Sequence, residues 1–167
     1  MTKDSAEPRT GEGGLLVATF LLGESAFGID TALVQEVVVA GELTAVHHAP
    51  SYVAGIRNLR GRIVTVIDLK VRLDLGCVAA GPEARILIVD WKGEPVGLLV
   101  DRVADTVALD TGALETAPPN LHGVQSRDLR GVFRGGGRLV ALLDPAAVLE
   151  PDSAVGPTVQ EGVEKTS

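Results

Sequence analysis

The residues best suited to bind or react fall in one stretch, from Gly55 to Leu73. It carries Arg57, Arg60, Arg62, Lys70 and Arg72 against a single carboxylate, Asp68, in a chain whose formal charge is −7. Guanidinium groups supply planar, multi-donor contacts to carboxylates and other acidic groups. Arg60 directly precedes the turn glycine Gly61, and Asn58 lies two residues earlier. Two readings are open on composition. The stretch is a solvated hairpin, since charged side chains mostly line exposed faces, or it is a docking surface for an acidic or polar partner.

No other group of residues forms a catalytic constellation. His47 and His48 are adjacent, so on a strand they would point to opposite faces and could not readily share a metal; they read as loop residues, as does His122. Cys77 lies beside Val78 and Ala79 with no histidine near it in sequence to lower its pKa. It reads as a small buried or loop residue. Asp68 and Asp144 each end an apolar run and read as caps of the following turn. Gly135-Gly136-Gly137 lacks the helix-opening context and the Lys-Ser/Thr of a phosphate-binding loop, and reads as a hairpin turn. The expectation is a non-enzyme with no metal and no cofactor.

The elements around these residues come in two similar sets. Gly55–Leu73 aligns without a gap to Gly131–Leu149, at an offset of 76 residues. Gly55/Gly131, Gly61/Gly137, Arg62/Arg138, Val64/Val140, Asp68/Asp144 and Leu73/Leu149 are identical pairs. A looser echo relates Gly23–Asp30 to Gly93–Asp101. Such self-similarity bears on the whole fold and indicates a tandem duplication. Strands are predicted over 15–22, 26–29, 37–40, 56–59, 63–67, 86–91, 96–100, 103–109, 129–134 and 138–143. Asp30 is predicted to cap a short helix reaching Val37, residues 69–73 to form one helical turn, and Asp144-Pro145 to start a terminal helix. Short strands with frequent turns imply an all-β fold. The duplication sharpens this to two small tandem β-barrels packed side by side, with short helices. The lobe boundary is expected near residues 74–84, with an aliphatic joint and a groove between the lobes.

Composition narrows the partners. At 167 residues the chain fits one domain, or two very small ones. Apolar residues make up 46% and aromatics 3%, so the core is aliphatic. A pI near 4.9 argues against nucleic-acid binding, which wants a basic surface. One cysteine excludes an intrachain disulfide and fits a reducing, cytoplasmic setting. No run approaches the roughly 18 apolar residues of a membrane span. Residues 1–14 read as a disordered lead-in, 15–149 as the globular part, and 150–167 as a disordered acidic tail.

The stretch Gly55–Lys70 resembles the hallmark segment of the CheW-like coupling proteins of bacterial chemotaxis. So do Phe27–Asp30, Val34-Gln35-Glu36, Val96–Asp101 with Val103, and Arg138–Asp144. The resemblance spans about residues 15–149. It implies two five-stranded barrels of the Src-homology-3-like type and no catalytic activity. It implies a cytoplasmic adaptor, recruited to receptor arrays, that couples the tips of chemoreceptors to the regulatory domain of the histidine kinase CheA. By motif position, Glu36 and Arg60 match an acidic and basic pair associated with kinase control. Val34, Gly55, Arg60 and Val103 match positions of receptor contact, with Asn58 beside them. Residues 114–120 lie where the family has an inter-subunit contact. Two departures are Thr65, where the family often has proline, and Lys70, where it often has arginine. Alternatives are an adaptor of a pilus-motility or developmental pathway and, in another class, a small-barrel ligand-binding module.

Overall fold

The computed structural model describes residues 14–78, 81–121 and 123–150. The sequence expectations for His122 and for both terminal segments, apart from Gly14 and Glu150, lie outside the described residues. Among the described residues ten strands form two five-stranded sheets. In chain order they are β1 (Gly14–Leu22), β2 (Ser25–Asp30), β3 (Val34–Val39), β4 (Val53–Leu59), β5 (Arg62–Asp68), β6 (Arg85–Trp91), β7 (Glu94–Val100), β8 (Arg102–Asp110), β9 (Leu129–Gly135) and β10 (Arg138–Leu143). The helices are short: α1 (Leu69–Arg72) follows β5 and α2 (Pro145–Leu149) follows β10.

The duplication is present, and its two halves exchange strands. One sheet has the order β3-β6-β7-β5-β4 and is built from residues 34–100; we call it the central barrel. The other, β9-β10-β2-β1-β8, joins the first two strands to the last three and forms the terminal barrel. Both orders are the same once β1 and β2 are matched to β6 and β7, and β3, β4 and β5 to β8, β9 and β10. Each sheet has one parallel pair, β5 with β7 and β10 with β2. The lobe boundary expected near 74–84 is therefore corrected. That segment joins two strands of a single sheet, and the chain crosses between barrels at residues 30–34 and 100–102 instead. The barrels are interleaved rather than tandem, because β1 and β2 pair with the strands of the other half.

The repeated glycine follows from how each sheet closes. Beyond β3, Thr44 exchanges two main-chain hydrogen bonds with Ile56 of β4, at 3.0 and 2.8 Å. Beyond β8, Glu115 does the same with Val132 of β9, both at 2.8 Å. At each crossing the register slips, between Val53 and Gly55 and between Leu129 and Gly131. A Cβ on Gly55 would lie 2.6 Å from the Thr44 carbonyl oxygen, and one on Gly131 2.5 Å from that of Glu115. Only glycine lets the returning chain approach this closely.

The largest buried cluster lies between the barrels. It joins Phe20, Phe27 and Ile29 of the terminal barrel to Ile67, Leu87, Val89 and Leu98 of the central one. The barrel interiors hold smaller clusters, one around Val17, Leu109, Phe133 and Val140, the other around Val64, Val66, Ile86 and Ile88. Burying an aliphatic side chain is worth about 1.5–3 kcal/mol, so the joint carries more of the apolar driving force than either barrel interior. The aspartates are caps, as the sequence suggested. Asp68 Oδ1 accepts from the Lys70 and Val71 amides at 2.9 and 3.3 Å, its Oδ2 accepts from the Val78 amide at 3.0 Å, and Asp144 Oδ1 accepts from Ala146 at 3.1 Å. The helix predicted from Asp30 to Val37 is corrected: a 3-10 turn spans Thr31–Leu33, and Val34 already belongs to β3. The β-branched run and its alternating burial favour strand there.

Gly131→Ala should destabilise the fold by about 2–4 kcal/mol, because backbone must move to admit the methyl group. Urea unfolding of the full chain measures this; a change under 0.5 kcal/mol would show that the close approach is not a constraint.

Candidate functional site

Four of the five cations between Gly55 and Leu73 are committed within the molecule. Arg57 Nη1 donates to the carbonyls of Val39 and Ala40, both at 2.6 Å. Lys70 pairs with Asp101 at 3.2 Å, and Asp101 also accepts from the Gly23 amide at 2.6 Å. That carboxylate therefore ties the β1–β2 turn to α1 across the joint. Arg72 reaches the last turn of α2, donating to Val148 O at 3.1 Å, Ala147 O at 2.8 Å and Glu150 O at 3.3 Å. Its guanidinium also lies 4.9 Å from the centre of the Tyr52 ring. These carbonyls lack helical partners, so Arg72 joins the barrels by capping the far helix.

Arg60 forms the fourth contact, a hydrogen-bonded ion pair with Glu36. Its physical setting is the open side of the central barrel. β3 and β4 are the two outer strands of that sheet, and main-chain pairing between their extensions resumes only at Thr44. Side chains cross the gap: Arg57 to the end of β3, Arg60 to its middle. Arg60 sits at φ 53° and Gly61 at φ 87°, a conformation that suits a two-residue hairpin turn. Asn58 Oδ1 accepts from the Gly61 amide at 2.9 Å and fixes the turn. Asp90 does the same for Gly93 at 3.0 Å. In the other barrel the position of Arg60 is occupied by Gly136, at φ 62°. An arginine thus stands where the repeat keeps a glycine, at a cost in backbone strain, and its side chain is 68% exposed.

The remaining candidates divide. Val34 and Val103 are counterparts under the repeat. Val34 begins β3 and Val103 lies at the start of β8, each just after a crossing between barrels. They register against Val89 and Phe20, both fully buried in the joint, and are themselves half-buried against that cluster. Both mark the edge of the seam. Gly55 is buried at the closure bridge, so its observed contacts are architectural and it does not join the Glu36–Arg60 group. A concavity of about 290 Å³ opens beside that group, lined by Arg60, Arg62 and Glu36 over Val64 and Ile88. At the opposite end of the central barrel an apolar pocket of about 480 Å³ is lined by Val39, Leu43, Ala84 and Leu99.

Residues 16–152 match the family described as the CheW-like domain. This chain belongs to the CheW-like domain family. Over 134 residues it is 32% identical to Chemotaxis protein CheW of Rhizobium meliloti (strain 1021), covering 79% of this chain and 85% of that protein. A solved structure titled as the scaffolding protein TtCheW from Thermoanaerobacter tengcongensis superposes with a TM-score of 0.75 at 28% identity, over 89% of this chain and 96% of that one. A more distant relative, Protein FrzA of Myxococcus xanthus, is 28% identical over 124 residues, covering 74% of this chain and 76% of that protein. The CheW-like fold therefore places Glu36, Asn58 and Arg60 at one mouth of the central barrel, and Val34 and Val103 along the seam.

The sequence singled out Arg60 but gave no sign that Arg57 and Arg72 hold the frame. The two arginines should part company when removed. Arg72→Ala should cost about 2–4 kcal/mol of unfolding free energy, since several bonds from a charged group are lost, whereas exposed Arg60→Ala should cost no more than about 1 kcal/mol. Denaturant midpoints compare them directly, and equal losses would contradict the assignment.

Proposed function

We propose that this CheW-like protein is a non-enzymatic scaffold that couples chemoreceptor tips to the regulatory domain of a CheA-type histidine kinase. The Glu36–Arg60 pair carries this reading. It stands at an exposed turn where the fold's own repeat has glycine, and its positions match the paired acidic and basic residues of the family. Val34 and Val103 would offer apolar contact to a helical receptor tip along the seam, with Arg60 and Asn58 at the rim and Gly55 shaping the strand behind them. Modest affinity at each site suffices, because the geometry of an array supplies avidity. The protein would work in the cytoplasm at membrane-associated receptor arrays. Among the described residues no helix is long and apolar enough to cross a membrane, and no group of three or more metal-ligating side chains occurs.

One relative, FrzA, carries a designation other than chemotaxis protein. It favours, as a second reading, an adaptor of the same mechanism in a chemosensory pathway outside flagellar chemotaxis.

The deciding experiment reconstitutes the full chain with the organism's receptor signalling fragments and its CheA homologues. Arg60→Glu or Glu36→Arg should lower receptor-stimulated kinase activity at least tenfold while the melting temperature shifts by only a few degrees. The double exchange should recover part of the loss. If the wild-type protein binds neither fragment, the coupling role is wrong; if both single variants couple normally, the pair is not its site.

A further inference from the structure

Arg62 is the cation of the basic stretch that the fold leaves over. Among the described residues its side chain makes none of the hydrogen bonds or ion pairs that hold the other four cations, and it is exposed at the start of β5. It lines the 290 Å³ concavity together with Arg60 and Glu36, over a floor of Val64 and Ile88 and a wall of Pro95. Two guanidinium groups face one carboxylate there, so the mouth is locally positive in a chain of formal charge −7. The volume lies at the lower end of the roughly 300–1,000 Å³ typical of small-molecule sites. It suits one inserted side chain better than a cofactor.

We propose that the mouth of the central barrel accepts an acidic side chain of a partner protein, with Arg62 as its principal charge contact. A glutamate matches this chemistry. Its aliphatic stem can lie on Val64 and Ile88, and its carboxylate can accept a forked pair of bonds from Arg62. Arg60 reinforces the site, because its five donors exceed what Glu36 uses. The repeat sets a contrast. The counterpart of Arg62 is Arg138, but the counterpart of Arg60 is Gly136, so the terminal barrel lacks a guanidinium pair at these repeat positions. This inference rests on the coupling role proposed above and names the chemistry by which the partner is read.

The test uses the full chain, a receptor signalling fragment and a CheA regulatory domain, with affinities measured by titration calorimetry. Arg62→Ala should weaken binding to one of the two partners about three- to tenfold, and Arg62→Glu by tenfold or more. The difference should shrink in 0.5 M NaCl, where exposed charges are screened. Arg134→Glu makes the same charge change on the terminal barrel and should alter affinity less than twofold. The melting temperatures of all three variants should match the wild type. If both partners bind Arg62→Glu as tightly as wild type, or Arg134→Glu weakens binding equally, the mouth is not the acidic-residue site although the coupling role stands. If the wild type binds neither fragment, the coupling role falls and this inference falls with it.

Discussion

The joint between the barrels is made by strands that the two halves of the chain have exchanged, and the rest of the structure depends on it. Phe20 and Phe27 from one barrel and Leu87, Val89 and Leu98 from the other are buried in one shared cluster. The central barrel's own interior has four buried aliphatic residues with half-buried ones packed against them, a smaller core than the joint. The chain must therefore cross twice, at residues 30–34 and 100–102, and polar contacts secure the crossing region. Asp101 bridges Gly23 to Lys70, and Arg72 caps α2 from the opposite lobe. Glu150 adds a further tie, accepting from the Trp91 indole at 3.2 Å and pairing with Lys92 at 2.5 Å. The hydrogen bond from Lys92 holds its carboxyl below the usual glutamate range. A lowered pKa means this tie is present at neutral pH and lost as pH falls through the folded value.

This architecture separates frame from surface within one sequence motif. The glycines, the strand-ending aspartates and the aliphatic positions recur in both copies because both barrels close in the same way. Arg57, Lys70 and Arg72 belong to that frame too, although nothing in the second copy matches them. What remains is a small group at one mouth of one barrel: Glu36, Asn58, Arg60 and Arg62. It lies on the open side of the central sheet, where side chains rather than main chain bridge β3 and β4. A surface of this kind can exchange an internal ion pair for an external one at little cost to stability, which suits an adaptor.

Much of the fold was legible in the sequence, for local reasons. Gly23, Gly61, Gly93 and Gly137 all adopt positive φ in hairpin turns, and alternating apolar residues marked most strands. The repeat gave two similar barrels. The exchange of β1 and β2 was not legible, because tandem and interleaved halves have the same internal similarity; the choice is made by long-range burial in the joint. The helix expected at 30–37 failed because one capping aspartate outweighed, in the reading, a β-branched run whose pairing with β6 is non-local. The fates of the arginines were hidden for the same reason. The partners of Arg57 lie about 17 residues back and those of Arg72 about 75 residues on, so no local pattern could distinguish them from Arg62.

The central claim is that the partner surface lies at the mouth of the central barrel and along the adjoining seam. Amide chemical-shift mapping of the full chain, titrated with the receptor signalling fragment and with the kinase regulatory domain, tests it most directly. The predicted result is perturbation of residues 34–36, 58–62 and 103, with little change around Gly41, Leu43 and Ala84 at the opposite end. Shifts confined to that opposite end, with residues 58–62 silent for both partners, would contradict the account.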